Sequence, residues 1–352
     1  MARVTTRDYR GWEVVTLATP QLRADVVPGK GGDLTSVVHR TTGTELLWHT
    51  RWGLRARGSL TTPGSSEAAL SEAYPGGWQS VFPNAGDAAH EHGVEWGMHG
   101  EVWTTPFDWQ VAERGILLTA NLVRSPFRFE KLIEVDGACV RVSETATNIG
   151  NETVEVTWSQ HPAFGAPLIG PDTRVQTNAK TVTADILDNR YASVPTPQPW
   201  PLWTSPQGAS VNLSELPAPR TDHSRMAFLS DYPDDEQALV SIVSPNQGLE
   251  VNLRWNAQTF PYAWYWMEAG GRKGFPWYSD AYVLAIEPAS SWPGRGIAQI
   301  RESTGTQIAI APGQRVNHTV EMSVTARSHS LRQNTESEEG APNDGLSAEQ
   351  AL

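Results

Sequence analysis

Two side chains suited to proton transfer each lie near the end of a strand pattern. His161 follows an alternating stretch and precedes Pro162, which cannot donate a hydrogen bond to a central ladder. Glu287 ends another pattern, on the same strand face as Val283 and Ala285. Histidine changes its protonation near neutral pH, and a carboxylate on an apolar strand face is costly unless paired or functional. The two residues are candidates for an acid–base pair, although a structural histidine and a strand-end salt bridge also explain them.

A glycine-rich segment supplies further candidate contacts for a ligand. Gly76 and Gly77 permit close approach of the backbone to a bound molecule, and Trp78 and Asn84 follow them. His99 comes next, between a methionine and a glycine. Considered alone, this histidine fits a structural role as well as a functional one.

Tryptophan is unusually frequent, with 15 residues against 8 tyrosines and 8 phenylalanines. Its flat face suits the C–H edges of a sugar ring, and packing in the core is the alternative. Strand alternation places Trp264 and Trp266 on one face shortly before Glu287. They are candidates for the wall of a sugar pocket or for an aromatic stripe in the core.

Signatures of other catalytic classes are missing from the sequence. It has no Gly-x-Ser-x-Gly elbow and no phosphate-binding P-loop. His90-Glu91-His92 could suggest a metal, but there is no His-Glu-x-x-His helix and no pair of cysteines. We therefore expect neither a metal nor a cofactor.

The composition excludes several classes of partner. The formal net charge is −12 and no basic stripe occurs, which argues against binding to nucleic acid. The single cysteine, Cys139, cannot form an internal disulfide. No apolar run approaches membrane-spanning length, and the N-terminal residues lack the apolar part of a signal peptide. We expect a cytoplasmic monomer or homodimer that binds neither nucleic acid nor membrane.

Short strands separated by turns dominate the pattern. The 30 glycines and 25 prolines favour a turn-rich β protein, and Asp136-Gly137 predicts a hairpin. Regular strands of this kind indicate a β-sandwich. The predicted strands cover residues 22–27, 127–135, 140–145, 154–158, 238–243, 249–255, 282–286, 307–310 and 316–324.

Three stretches lack a strand pattern. Residues 51–77 and 185–225 are predicted to be long loops, which in compact domains are often functional. Residues 328–352 are polar and acidic and are predicted to be a disordered tail. Since no internal repeat occurs, we predict one β-sandwich domain over residues 1–327, followed by the tail.

The order and spacing of these segments resemble the aldose 1-epimerase, or galactose mutarotase, superfamily over most of residues 12–325. The resemblance implies a large antiparallel β-sandwich that binds a sugar on a concave sheet face. The matching segments are Gly31-Gly32-Asp33, Phe82-Pro83-Asn84 with His99-Gly100, Glu144 to Gly165 including His161-Pro162, Ala285-Ile286-Glu287-Pro288 and Ala311-Pro312-Gly313-Gln314.

The resemblance also implies a reaction without a cofactor. Glu287 would be the base that takes the proton of the anomeric hydroxyl, and His161 the acid that protonates the ring oxygen. His99 would hold and polarise the sugar. Opening of the ring, rotation about the C1–C2 bond and reclosure would then interconvert the anomers of a small-molecule sugar.

Two departures from the family pattern leave the sugar open. Asn84 stands where part of the family's arginine motif is expected, and the aspartate that grips sugar hydroxyls has no clear equivalent. Asp280 and Asp222 are both possible, and Glu268 could serve instead.

Several functions remain to be distinguished. The first is a mutarotase for a neutral hexose; a variant acts on an anionic sugar such as a sugar phosphate or sulfoquinovose. A non-catalytic sugar-binding protein would need no acid–base pair, and a glycosidase would need two carboxylates at the bond. The cations available to bind an anionic sugar are Arg51, Arg55, Arg57, Arg272 and Lys273.

Overall fold

The computed structural model describes residues 2–59, 64–185, 196–204, 210–234 and 237–327. The predicted tail, 328–352, lies outside the described residues, as do parts of both predicted loops. Antiparallel strands dominate the described chain and confirm the predicted all-β fold. Within it, no helix is long and apolar enough to cross a membrane.

The described residues form 26 strands. In the first part of the chain they are β1 (Arg3–Tyr9), β2 (Trp12–Ala18), β3 (Leu22–Val27), β4 (Asp33–His39), β5 (Thr44–Glu45), β6 (Trp78–Val81), β7 (Ala89–Glu91), β8 (Val94–Trp96), β9 (Asp108–Val111), β10 (Gly115–Asn121), β11 (Phe127–Asp136), β12 (Cys139–Asn148) and β13 (Val154–Val156). In the rest they are β14 (Ser159–Gly165), β15 (Arg174–Thr177), β16 (Thr181–Ala184), β17 (Gln198–Pro199), β18 (Leu202–Thr204), β19 (Ser210–Asn212), β20 (His223–Ser230), β21 (Ala238–Ser244), β22 (Leu249–Trp255), β23 (Tyr262–Ala269), β24 (Tyr282–Ala289), β25 (Ile308–Ile310) and β26 (Arg315–Ala326). The helices are α1 (Ser66–Ala73), α2 (Ile297–Ser303) and a 3₁₀ turn at Val102–Thr104.

Most strands belong to two antiparallel sheets. The large sheet has the order β1-β2-β3-β4-β6-β14-β24-β23-β20-β16-β17, with β5 beside β4. The small sheet has the order β15-β21-β22-β26-β12-β11-β10-β9. The remaining strands of the described chain form the pairs β7–β8, β13–β25 and β18–β19.

The main core joins residues of both sheets. Alternation along β23 and β24 directs Met267, Leu284 and Ile286 into it, and Phe129 and Val142 enter from the small sheet. All five side chains are buried, so this face of the large sheet is held by apolar packing. The other face of these strands carries two smaller apolar clusters, around Trp266 and Trp264, beside the buried polar side chains of His161 and Glu287.

Two predicted loops contain regular structure. Within 51–77 lies α1, where the hydroxyl oxygen of Ser65 accepts a hydrogen bond from Ala68 N at 3.2 Å. Leu70 is the buried residue of this helix, so the sequence offers no apolar periodicity from which to predict it. Within 185–225 the described residues form β17, β18 and β19.

Candidate active site

Three adjacent strands near the centre of the large sheet place candidate side chains in one row. Strands β14 and β24 pair with Ala163 opposite Ala285, and this antiparallel register puts His161 opposite Glu287. On the other side of β24, Trp264 of β23 is paired with Glu287. Since paired residues project from the same face, all three side chains point away from the main core.

His161 and Glu287 form a buried pair. Their side chains are 5% and 3% exposed, and His161 Nε2 lies 3.4 Å from Glu287 Oε1. Burial raises the pKa of Glu287 well above its ordinary value and lowers the pKa of His161 to about 4. The carboxyl therefore holds a proton more strongly than usual and the imidazole more weakly, which brings their proton affinities closer together.

Tyr74 fixes the other side of the His161 ring. Its hydroxyl oxygen lies 3.3 Å from His161 Nδ1, and the two rings meet at an angle of 78°. Burial raises the pKa of Tyr74, and the charges of Glu287 and Asp33 raise it further. The hydroxyl thus stays protonated, and Nε2 is the ring nitrogen of His161 that meets Glu287.

His99 approaches the same ring from a loop. The centroids of the His99 and His161 rings are 5.4 Å apart. Burial lowers the pKa of His99 to about 3, and the charge of His161 contributes in the same direction. Its φ of 62° lies in the left-handed region, where histidine is found more often than most residues. Since His99 N donates a hydrogen bond to Gly86 O at 3.0 Å, the backbone holds this conformation.

A cavity of about 280 Å³ opens above these residues. Its lining includes Tyr74, His99, His161 and Glu287, together with the three indoles of Trp264, Trp266 and Trp277. The volume is near the lower end of that of ligand pockets, about 300 Å³, and suits a small molecule. The prediction that Trp264 and Trp266 share one strand face agrees with their common position on this wall.

The rim of the cavity is rich in charge. Arg295 forms ion pairs with Asp185 and, at 3.8 Å, with Asp87. Glu67 and Arg272 complete the charged lining. Burial is the largest cause of the raised pKa of Asp87. Carboxylates and a guanidinium held side by side offer both acceptors and donors to the hydroxyl groups of a ligand.

A larger groove of about 500 Å³ lies elsewhere on the molecule. Asp231, Tyr232 and Asn256 are among the residues that line it, and no histidine does so within the described chain. We place the candidate site in the smaller cavity because it combines enclosure, aromatic walls and the His161–Glu287 pair.

Two predicted contacts, Trp78 and Asn84, lie behind the cavity. Trp78 is in the main core, where its Nε1 donates to Gln160 Oε1 at 3.0 Å. Asn84 is fully buried; its Nδ2 donates to Asp87 O at 2.8 Å, and its Oδ1 accepts from Ile297 N at 2.9 Å. Asn84 therefore joins the loops of Asp87 and Arg295 but does not itself line the cavity.

The predicted sugar-gripping acids also lie outside the lining. Glu268 is fully buried, and its Oε1 accepts from the backbone N–H groups of Gly271, at 2.5 Å, and Arg272, at 2.9 Å. Asp280 is half-exposed and lies 3.7 Å from Arg220. Glu268 thus anchors the loop after β23, and Asp280 belongs to a neighbouring surface.

The predicted cations divide into two groups. Arg272 lines the cavity, whereas Lys273 forms a 2.8 Å ion pair with Asp222. The cations that do not line the cavity are Arg51, Arg55, Arg57 and Lys273.

Several lining residues, Tyr74, Asp87, Asp185 and Arg295 among them, were not predicted from the sequence. Tyr74 follows the end of α1, Asp185 follows β16, and Asp87 and Arg295 lie between regular elements, where no periodicity shows which way a side chain points. Their one shared signal is a position beside glycine, proline or the end of an alternating stretch. That signal is too common in a turn-rich chain to select them.

The fold is similar to that of solved galactose mutarotase-like proteins. A Klebsiella pneumoniae protein provisionally assigned as an aldose 1-epimerase superposes with a TM-score of 0.70 at 12% identity, covering 91% of this chain and 82% of that one. A galactose mutarotase-like protein from Lactobacillus casei superposes with a TM-score of 0.61 at 15% identity, covering 89% and 100%. A galactose mutarotase-like protein from Clostridium acetobutylicum gives 0.59 at 11% identity, covering 92% and 99%. Identities this low establish the fold alone.

Residues 9–324 match the model of the DUF4432 family, which is described as a domain of unknown function. The chain therefore belongs to the DUF4432 family, and its fold is that expected from the resemblance to the aldose 1-epimerase superfamily. No curated protein matches the sequence.

Proposed function

We propose that the protein is an aldose 1-epimerase that interconverts the α and β anomers of a neutral aldohexose. The observation that carries this proposal is the contact of 3.4 Å between His161 Nε2 and Glu287 Oε1 on the floor of an indole-walled cavity. Ring opening of a hemiacetal needs one group that removes a proton and another that supplies one, with no redox step.

The two groups would act on two oxygens bonded to the same carbon. Glu287 takes the proton of the anomeric hydroxyl while His161 Nε2 gives a proton to the ring oxygen. The bond between C1 and the ring oxygen breaks, and a C1 carbonyl forms. After rotation about the C1–C2 bond the same transfers run in reverse, so both groups return to their starting state.

The active state is a pair that shares one proton between the carboxyl and Nε2. Because the pKa of Glu287 is raised and that of His161 is lowered, the shared proton can lie either on the Glu287 carboxyl or on His161 Nε2. His161 Nδ1–H then donates to the Tyr74 hydroxyl oxygen, which leaves Nε2 as the nitrogen that exchanges protons. His99, neutral because of its low pKa, is placed to hydrogen-bond with the sugar.

The charge of the rim supports a neutral sugar. Glu67, Asp87 and Asp185 outnumber the two arginines of the lining, Arg272 and Arg295. Arg295 is already paired with two of these carboxylates. A phosphate or sulfonate would meet this acidic rim and a chain of net charge −12. Hydroxyl groups can use the same carboxylates as acceptors.

Exchange of anomers in the purified protein tests the proposal. NMR saturation transfer between the two anomeric protons would be measured for glucose, galactose, glucose 6-phosphate and sulfoquinovose. We expect faster exchange for at least one of the neutral hexoses. Exchange of the anionic sugars alone would overturn the choice of substrate, and binding without acceleration would indicate a non-catalytic sugar-binding protein.

A further inference from the structure

A second, smaller cavity of about 150 Å³ adjoins the candidate site. Pro276 and Trp277 line both cavities, so the two spaces share a wall. The second cavity is otherwise lined by residues 48–52 and by Asp280 and Ala281. It belongs to neither the acid–base pair nor the charged rim.

The surface around this second cavity is aromatic. The Trp52 and Trp277 rings are nearly parallel, with an interplanar angle of 9° and centroids 6.0 Å apart. Trp48 meets Trp277 edge-on at 5.4 Å. Phe275 and Tyr278, on the same loop as Trp277, are 53% and 60% exposed. Exposed aromatic rings grouped beside a cavity are characteristic of ligand-binding surfaces.

Polar groups accompany these rings. The Arg51 guanidinium lies 5.5 Å from the ring centre of Trp52 and 5.6 Å from that of Tyr278. The Asp280 carboxylate is half-exposed, and its 3.7 Å contact with Arg220 is a surface ion pair of little strength. Both charged groups can therefore exchange their present contacts for hydroxyl groups.

The loop that carries Trp277 and Tyr278 is held in a defined conformation. Glu268 fixes its start by accepting hydrogen bonds from two successive backbone N–H groups. Tyr278 and Ser279 have φ values of 47° and 59°, which are unusual for residues other than glycine. Backbone conformations of this kind are found preferentially at binding sites, because a surrounding structure must maintain them.

We propose that Trp52, Trp277 and Tyr278, with Arg51 and Asp280, form a subsite for the second ring of a reducing disaccharide. The ring with the free anomeric carbon would lie in the 280 Å³ cavity, and the attached ring would pass the shared wall at Trp277. Its C–H face would pack on an indole, and its hydroxyl groups would meet Arg51 and Asp280. This inference rests on the proposed function and specifies its substrate class.

Binding and exchange are measured separately to test the subsite. Calorimetry with the Glu287→Gln variant would compare glucose and galactose with cellobiose, lactose, maltose and melibiose. We expect at least one disaccharide to bind about tenfold more tightly than its reducing-end sugar, the gain that one aromatic contact can give. Anomer exchange of the same sugars by the wild-type protein is the second readout.

Variants of the subsite distinguish this gain from a general effect. Trp52→Ala and Asp280→Ala should both remove the preference for the disaccharide, and Asp280→Ala should leave exchange of the monosaccharide within about twofold. Tyr9→Ala, which removes a half-exposed aromatic ring from β1, is the matched control and should change neither. Because Trp52 Nε1 also donates to Tyr74 O at 2.9 Å, Asp280→Ala tests the subsite without disturbing Tyr74.

The outcomes separate the subsite from the reaction. Equal affinities for monosaccharides and all four disaccharides would overturn the subsite, even if exchange occurs. A disaccharide preference that Asp280→Ala and Trp52→Ala both retain would also overturn it. If a disaccharide binds in the predicted manner but no sugar is exchanged, the subsite stands and the proposed reaction fails.

Discussion

At the scale of single residues, the proposed chemistry depends on the Glu287 carboxylate. Glu287→Gln keeps the shape of the side chain but cannot accept a proton. We expect the anomer exchange rate to fall by about 10²–10⁴-fold, the contribution of one acid–base group. Sugar affinity, measured by calorimetry, should stay within about threefold because the walls and the rim are unchanged.

Glu144 offers a matched control for this variant. It is also a fully buried glutamate whose pKa is raised by burial, but Ser80 and Trp158 bind it in the core. Glu144→Gln should lower the free energy of unfolding and leave exchange per folded molecule near that of wild type. If the two variants lost exchange equally, the effect of Glu287→Gln would come from damage to the folded structure and not from loss of the base.

Tyr74 is predicted to act through His161. Tyr74→Phe removes the oxygen that lies 3.3 Å from Nδ1 and leaves the ring nitrogen without this acceptor. We expect kcat to fall by about tenfold, the effect of one lost hydrogen bond to a charged group, with little change in KM. Loss of the acceptor also destabilises the imidazolium, so the pKa of His161, followed by ¹⁵N NMR, should fall further. Tyr232→Phe, at another buried tyrosine, should leave both quantities unchanged.

The pH dependence of exchange should report the shared proton. The pair holds a second proton only when His161 is protonated beside a protonated Glu287. The pKa of His161, about 4, lies below the ordinary 6.5. The acid limb of kcat/KM should therefore be centred near pH 4. The alkaline limb follows loss of the remaining proton, which the raised pKa of Glu287 moves upward from 4.5. An acid limb at pH 6.5 would show that an unperturbed histidine controls the reaction.

At the scale of elements, strand faces were predictable, whereas strand ends and contacts between distant strands were not. The prediction that a strand ends near His161, before Pro162, was wrong, because β14 continues to Gly165 inside the large sheet. Period-2 alternation assigned Glu287 to the face of Ala285, and β24 has this arrangement. The pairing of β14 with β24 joins residues more than a hundred positions apart. No local pattern specifies such a pairing, so the contact between His161 and Glu287 could not be derived from the spacing of residues in the sequence.

Loops were the least predictable elements. Asn84 and Glu268 were expected to contact the sugar from the resemblance to the family pattern, yet backbone groups occupy both side chains. Irregular backbone must satisfy its own donors and acceptors, and buried polar side chains commonly do this. The sequence shows that a polar residue is present but does not show which partner it binds.

Asn84→Ala tests the role of one such residue. It removes hydrogen bonds to Asp87 O, at a partly buried contact, and to Ile297 N, which is buried, and both backbone groups lose this partner. We expect a loss of about 2–4 kcal/mol in the free energy of unfolding by urea. Since Asn84 joins the loops of Asp87 and Arg295, KM for the sugar should also rise.

Asn252→Ala provides the comparison for Asn84→Ala. Asn252 is buried in the small sheet, where its side chain accepts a hydrogen bond from Ser241 at 2.5 Å. This variant should lose stability without a change in KM. An unchanged KM in Asn84→Ala would limit that residue to a role in stability.

At the scale of the whole molecule, the two sheets bury several titratable groups outside the candidate site. His318 of β26 is 3% exposed, and its ring is stacked on that of Phe260 with centroids 3.4 Å apart. Neither ring nitrogen has a hydrogen-bond partner among the described residues. The extent of the domain, residues 1–327, stays a prediction. The effect of burying His318 on the free energy of unfolding can be measured on the intact chain.

Burial lowers the pKa of His318 well below 6.5, so the folded protein keeps this ring neutral in mild acid. The unfolded chain binds a proton there below pH 6.5, and stability is therefore lost as the pH falls through this value. His318→Leu removes the linkage. Between pH 8 and pH 5 the variant should lose about 2 kcal/mol less unfolding free energy than wild type, measured by urea titration. His90→Leu, at an exposed histidine, should retain the wild-type dependence. An unchanged pH dependence in His318→Leu would mean that this ring is protonated in the folded protein as readily as in the unfolded chain.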